Sequence, residues 1–110
     1  MKLPNAENAV VEIAKLRDYC LSSTHFRGRN KARVFQAALG ITLDDAFELQ
    51  AVLKQAAKEG NAMQGVSDLH GTRYIIDFEW SRNERTARIR SAWIVPANEA
   101  PPRFLTRYVL

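Results

Sequence analysis

The chain has 110 residues, 16 lysines and arginines against 12 acids, a formal net charge of +4 and a single cysteine. That length allows one domain, burying roughly 60 to 65 per cent of its unfolded surface without staples. The lone Cys20 excludes an intrachain disulfide and a multi-cysteine zinc site, and it suits a reducing cytoplasm, where the protein is expected. No run of eighteen apolar residues and no signal-peptide core is present, so neither export by that route nor a membrane span is expected.

Residues 1–8, with Pro4 and two asparagines, read as an irregular lead-in. Ile13, Leu16 and Cys20 recur at helical spacing and predict a helix over 12–21, in which Cys20 packs as a buried thiol. Val34, Phe35, Ala38 and Leu39 predict a second helix over 30–39, closed by Gly40 as a left-handed cap. Thr42 and Asp45 form a capping-box pattern, and Ala46, Leu49, Leu53 and Ala56 mark one face of a third helix over 43–59.

Beyond Gly60 the apolar period changes to two. Tyr74, Ile76, Phe78 and Trp80 alternate with Ile75, Asp77 and Glu79, which predicts a strand over 73–80. After a polar turn, Ala87, Ile89, Ser91, Trp93 and Val95 alternate with Arg88, Arg90, Ala92 and Ile94, a partner strand over 86–95. A last strand is expected over 103–110, with Phe104, Thr106, Tyr108 and Leu110 on one face, and a short extra strand is allowed near 62–69. The expected fold is a single α+β domain over 1–110, with three N-terminal helices packed on a C-terminal antiparallel sheet of three to four strands. Its core is expected to hold Leu16, Val34, Phe35, Leu39, Leu49, Leu53, Ile76, Phe78, Ile89 and Trp93.

The charge is not spread evenly. No acid lies between Asp18 and Asp44, a gap that contains Arg27, Arg29, Lys31 and Arg33, while the other twelve bases balance the twelve acids. Such a field concentrates polyanions and can hold individual phosphates, though a solvated basic turn would look the same. His25 stands in this segment, where like charge lowers its pKa and leaves a neutral base at pH 7. Lys31 and Arg33 open a helix, where the macrodipole disfavours them, and a bound anion would account for their placement. Asp77 and Glu79 face Arg88 and Arg90 across the hairpin, which reads as cross-strand ion pairing or as a concave ligand face that includes Arg88 or Arg90. His25 and His70 have no ligand partner at useful spacing, so no metal or other cofactor is expected. His70 itself reads as part of an exposed turn.

The spellings LPNAENAVVEIAKLRDYCL, HFRGRNKARVFQAALGIT, SAWIV and PRFLTRYVL resemble the bacterial family known as domain of unknown function 6883, over nearly the whole chain. More distantly, the order of helices and strands resembles the barnase/EndoU/colicin/RelE-like ribonucleases. That second resemblance implies a metal-independent endoribonuclease-like toxin. His25, Lys31, Thr106 and Tyr108 would be its catalytic positions, and Arg27, Arg29, Arg33 and Arg90 its phosphate-binding positions. The partners it implies are RNA and a cognate small protein. The competing reading is a non-catalytic immunity-like or toxin–antitoxin module whose basic patch docks an acidic protein. If Arg27, Arg29, Lys31 and Arg33 each touch a phosphate of single-stranded RNA, log affinity falls with log salt at a slope of about −3. Fluorescence titration from 50 to 200 mM salt checks this, and a flat dependence refutes it.

Overall fold

A computed structural model of the protein describes residues 1–17, 29–98 and 100–110, with the side chains of residues 29–32 and 35 left out. The elements run as a 3-10 turn at Ala6–Asn8, helix α1 at Ile13–Lys15, α2 at Arg29–Leu39, a 3-10 turn at Leu43–Asp45 and α3 at Ala46–Glu59. Strands β1 at Ala62–Asp68, β2 at Gly71–Arg82, β3 at Arg85–Pro96 and β4 at Arg103–Val109 follow. The four strands form one antiparallel meander in the order β1-β2-β3-β4. Among the described residues no helix is long and apolar enough to cross a membrane.

The α+β class and the sheet agree with the sequence reading, including the extra strand at 62–68, but three N-terminal helices are not what forms. The helix expected over 12–21 opens at Ile13–Lys15 and stays helical through Leu16 and Arg17, where the described residues stop. Its start is delayed because Glu12 is still extended and Val10 is bridged to Arg103, with the Phe104 N–H donating to Val10 O at 2.9 Å. Residues 18–21, with Cys20, lie outside the described residues. The long helix is α3, in the middle of the chain, with Leu49 and Leu53 fully buried.

Sheet alternation sets the inner face. Tyr74, Ile76, Ala87, Ile89, Trp93 and Phe104 join Leu16, Leu39, Ile41, Leu49 and Leu53 in one buried cluster. Val34, expected inside, is 49% exposed. Among the described side chains of α2, Leu39 at its C-terminal end is fully buried, and Phe35, also expected inside, has its side chain outside the description. Phe78 is only partly buried against the cluster.

The lead-in is more ordered than its composition implies. Leu3 and Ala6 are buried, and the Ala62 N–H donates to Met1 O at 2.6 Å.

The tip of the β2–β3 hairpin fastens the sheet to the helices. Asn83 and Glu84 both have positive φ, 52° and 63°, as a two-residue hairpin turn of the inverted type requires. This places Arg82 against the end of α2, where its Nη1 donates to Leu39 O at 3.2 Å and to Gly40 O at 3.0 Å. Its Nη2 pairs with Asp45 at 2.8 Å and its Nε with Glu48. Gly40 has a φ of 69°, the left-handed cap expected of it. Gly60 serves close packing: a Cβ there would stand 2.3 Å from the Ile76 side chain.

One register shift changes the reading of β4. Ala92 pairs with Thr106 but Trp93 pairs with Phe104, so Leu105 is an extra residue. Phe104 therefore points inward, 1% exposed, with its ring 5.5 Å from that of Trp93 in an edge arrangement. Thr106 and Tyr108 lie on the opposite, outer face, beside Ala92 and Arg90. The expectation that Phe104 shares their face is thus corrected. Arg107 turns inward and is fully buried, and it takes part in a further polar or ring interaction, as do Thr106 and Tyr108.

Ser91 is the polar centre of the inner face: its hydroxyl donates to Ile76 O at 2.8 Å and accepts the Trp93 indole N–H at 2.9 Å. Ser91→Ala leaves that buried N–H without its acceptor and is expected to cost about 1–3 kcal/mol. A urea titration checks this; no loss would show that the indole finds another acceptor.

Candidate functional site

The strand registers arrange the outer face in cross-strand rows. Asp77, Arg90 and Tyr108 make one row, with Asp77 paired to Arg90 and Arg90 to Tyr108. Ile75, Ala92 and Thr106 make the row beside it, and on its other side Glu79 pairs with Arg88. Arg90, Thr106 and Tyr108, three of the positions singled out in the sequence, therefore share one face of adjacent strands.

The centre of this face is a fixed arginine. Arg90 donates from Nε to Asp77 Oδ1 and from Nη2 to Asp77 Oδ2, both at 2.9 Å. The fork holds the guanidinium plane, and Nη1 makes no hydrogen bond among the described residues. The Arg90 side chain is 37% exposed and that of Asp77 14%, so the carboxylate is the sheltered half of the pair. Tyr108, next along the row, is 44% exposed. An arginine held this way presents one edge to an incoming anion without first having to be ordered.

The other predicted positions stand elsewhere or outside the description. Arg33 is exposed on α2, whose end is buried in the core on the inner side of the sheet. Arg29 and Lys31 are in the first turn of the same helix, their side chains outside the described residues. His25 and Arg27 lie outside the described residues. His70 is exposed in the β1–β2 turn, where its backbone N–H donates to Asp68 Oδ1 at 2.9 Å. Among the described residues no group of three or more His, Cys, Asp and Glu could hold a metal ion.

A cleft of about 280 Å³ between α3 and β2 is lined by Val52, Ala56, Gly60 and Phe78, with Glu59 and Glu79 among its walls. Its two carboxylates give it the wrong sign for a phosphate, and none of the predicted positions lines it.

One residue of this face is missed by the sequence reading: Asp77 reads as an ion-pair partner, whereas its register opposite Arg90 makes it the group that orients that arginine. Arg88, which the sequence offers beside Arg90 as a candidate for a ligand face, lies two residues from it on the same side of β3. Paired hydrogen bonds from Arg90, and then its positive charge, hold the Asp77 carboxyl below the usual carboxylate range. The His70 N–H and Arg73 do the same for Asp68. A carboxyl whose folded pKa is lowered adds stability that is present above its unfolded pKa, about 3.9, and is lost as pH falls through the folded value. Urea midpoints are therefore expected to drop between pH 5 and pH 2, and Asp77→Asn to shrink that drop. An unchanged pH profile in the variant would show that Asp77 is not so held.

None of the curated proteins matches the chain. Among solved structures, the fold is similar to a chain of the contact-dependent growth inhibition toxin–immunity protein complex from Klebsiella pneumoniae 342. The TM-score is 0.68 and the identity 19%, over 94% of this chain and 99% of that one. At that identity the likeness is one of fold. The family model described as Domain of unknown function (DUF6883) matches residues 2–110, the span that the spellings above also cover, and the chain belongs to that family.

Proposed function

We propose that the protein is a toxin-type, metal-independent ribonuclease that works on the outer face of its sheet. The observation that carries this reading is the row Asp77–Arg90–Tyr108 with Thr106 beside it: a pre-oriented, half-buried cation, a half-buried threonine and an exposed tyrosine on one face of the sheet. The fold likeness to a chain from a toxin–immunity complex supports the setting.

In the proposed reaction a base removes the 2′-OH proton and the 2′ oxygen attacks the adjacent phosphorus. The bond to the 5′ oxygen breaks, and that oxygen leaves with a proton from an acid, giving a 2′,3′-cyclic phosphate. Arg90, through its Nη1 edge, stabilises the charge on the phosphorane, and Thr106 and Tyr108 orient the phosphate. His25 is the base or the acid, Lys31 assists the charge, and Arg27, Arg29 and Arg33 draw the polyanion in.

A second reading has one observation in its favour. Leu43, in the 3-10 turn before α3, and Phe47, in the first turn of α3, are 43% and 67% exposed, a pattern that suits a protein partner. A non-catalytic docking module would use them and the basic segment to bind an acidic protein.

The purified protein in EDTA is expected to cleave single-stranded RNA to 2′,3′-cyclic ends. His25→Ala and Tyr108→Phe should each lower kcat/KM by about 10²–10⁴, the range for loss of an acid–base or positioning group. Product analysis by mass spectrometry checks this. No cleavage by the wild type, or equal cleavage by both variants, defeats the enzymatic reading.

A further inference from the structure

The outer face carries a second arginine, which lacks the carboxylate partner that Arg73, Arg82, Arg90 and Arg103 each have. Arg73 is paired with Asp68, Arg82 with Asp45 and Glu48, Arg90 with Asp77 and Arg103 with Glu12. Arg88 is exposed and makes no side-chain hydrogen bond or ion pair among the described residues. Its cross-strand neighbour Glu79 is itself exposed and stays unbonded to it. An exposed pair of that kind gains too little to hold two long side chains together. The backbone beneath Arg88 is fixed all the same, since the Leu110 N–H donates to Arg88 O at 2.8 Å.

We infer that Arg88 is a second phosphate subsite, one step along β3 from Arg90, and that this face takes an unpaired RNA strand presenting two consecutive phosphates. The inference rests on the ribonuclease reading and names its substrate class. Residues two apart on a strand project from the same face about 6.6–6.8 Å apart, a spacing that successive phosphates of an extended strand can match. Arg90 is held as a fork by Asp77 and offers one edge, so it takes one phosphate in a fixed orientation. Arg88 can swing to meet the next one.

The ring of Tyr108, 44% exposed beside Arg90, offers a surface for a splayed base, which a paired strand does not present. A mononucleotide would need Arg90 alone and leave Arg88 without a role.

The test uses two substrates, a dinucleoside monophosphate and a trinucleoside diphosphate, together with an uncleavable 2′-O-methyl hexanucleotide for binding. Wild type is expected to prefer the trinucleotide in kcat/KM. Arg88→Ala is expected to reduce that preference about tenfold, the worth of one charged hydrogen-bonded contact. It should also lower the magnitude of the hexanucleotide salt slope by about 0.7. Arg88→Lys should restore the slope, because it restores the charge. If wild type cleaves and binds while Arg88→Ala keeps both the preference and the slope, the subsite is wrong and the ribonuclease reading stands. If wild type neither cleaves the substrates nor binds the hexanucleotide, that reading falls and the subsite with it.

Discussion

The extra residue in β4 decides what this sheet can do. Were β4 regular, Phe104, Thr106 and Tyr108 would share a side, and burying the Phe104 ring against Trp93 would carry both hydroxyl side chains into the core. The bulge at Leu105 separates them. It keeps Phe104 inside at 1% exposure, where an aromatic pair is worth about 0.5–1.5 kcal/mol beyond its area, and delivers Thr106 and Tyr108 to the outer face. A bulge beside a functional surface re-aims side chains in this way, and here it builds the row in which Tyr108 adjoins Arg90.

The opposite side of the sheet, against which the described helices pack, must then be closed firmly. Arg82 does much of this at a single point. Its fork meets the last carbonyls of α2 and the carboxylates around the start of α3, so one side chain satisfies groups that a helix end would otherwise leave to water. Asp45 and Glu48 also carry the negative charge that the start of a helix favours, so the ion pairs and the dipole agree in sign. Arg85 adds a bond from Nη1 to Ala37 O at 3.3 Å. The hairpin tip thereby anchors both helices, and the outer face gains a rigid base for side chains whose work depends on position.

The sheet was legible in the sequence because a period of two survives over β2 and β3, whose side chains keep strict inner and outer sets. The register of Asp77 opposite Arg90 followed from that alternation. Sequence failed where the period itself breaks. In PRFLTRYVL the regular set Phe104, Thr106, Tyr108 and Leu110 looks like one amphipathic face, and nothing in the letters marks Leu105 as supernumerary. Arg107 compounds the difficulty, since an arginine in the alternate set argues for solvent, yet it is fully buried. Val34 misled for a different reason: helical spacing shows which residues can share a side, whereas the tertiary contacts decide which part of that side is covered.

An arginine locked to a carboxylate loses net charge, which works against the anion binding proposed for this face. The gain lies in order. A long cationic side chain on an open sheet samples many rotamers, and fixing it on binding costs up to about 2 kcal/mol. Asp77 meets that cost during folding, and its sheltered position keeps its own oxygens turned toward Arg90. On the proposed reading, the attraction lost to Asp77 is supplied by the charge of Arg88 on the same face and by the net positive charge of the acid-free segment between Asp18 and Asp44. Long-range attraction and local geometry are thus assigned to different side chains, a division that suits a phosphate whose charge must be met at one atom and whose strand must first be drawn in.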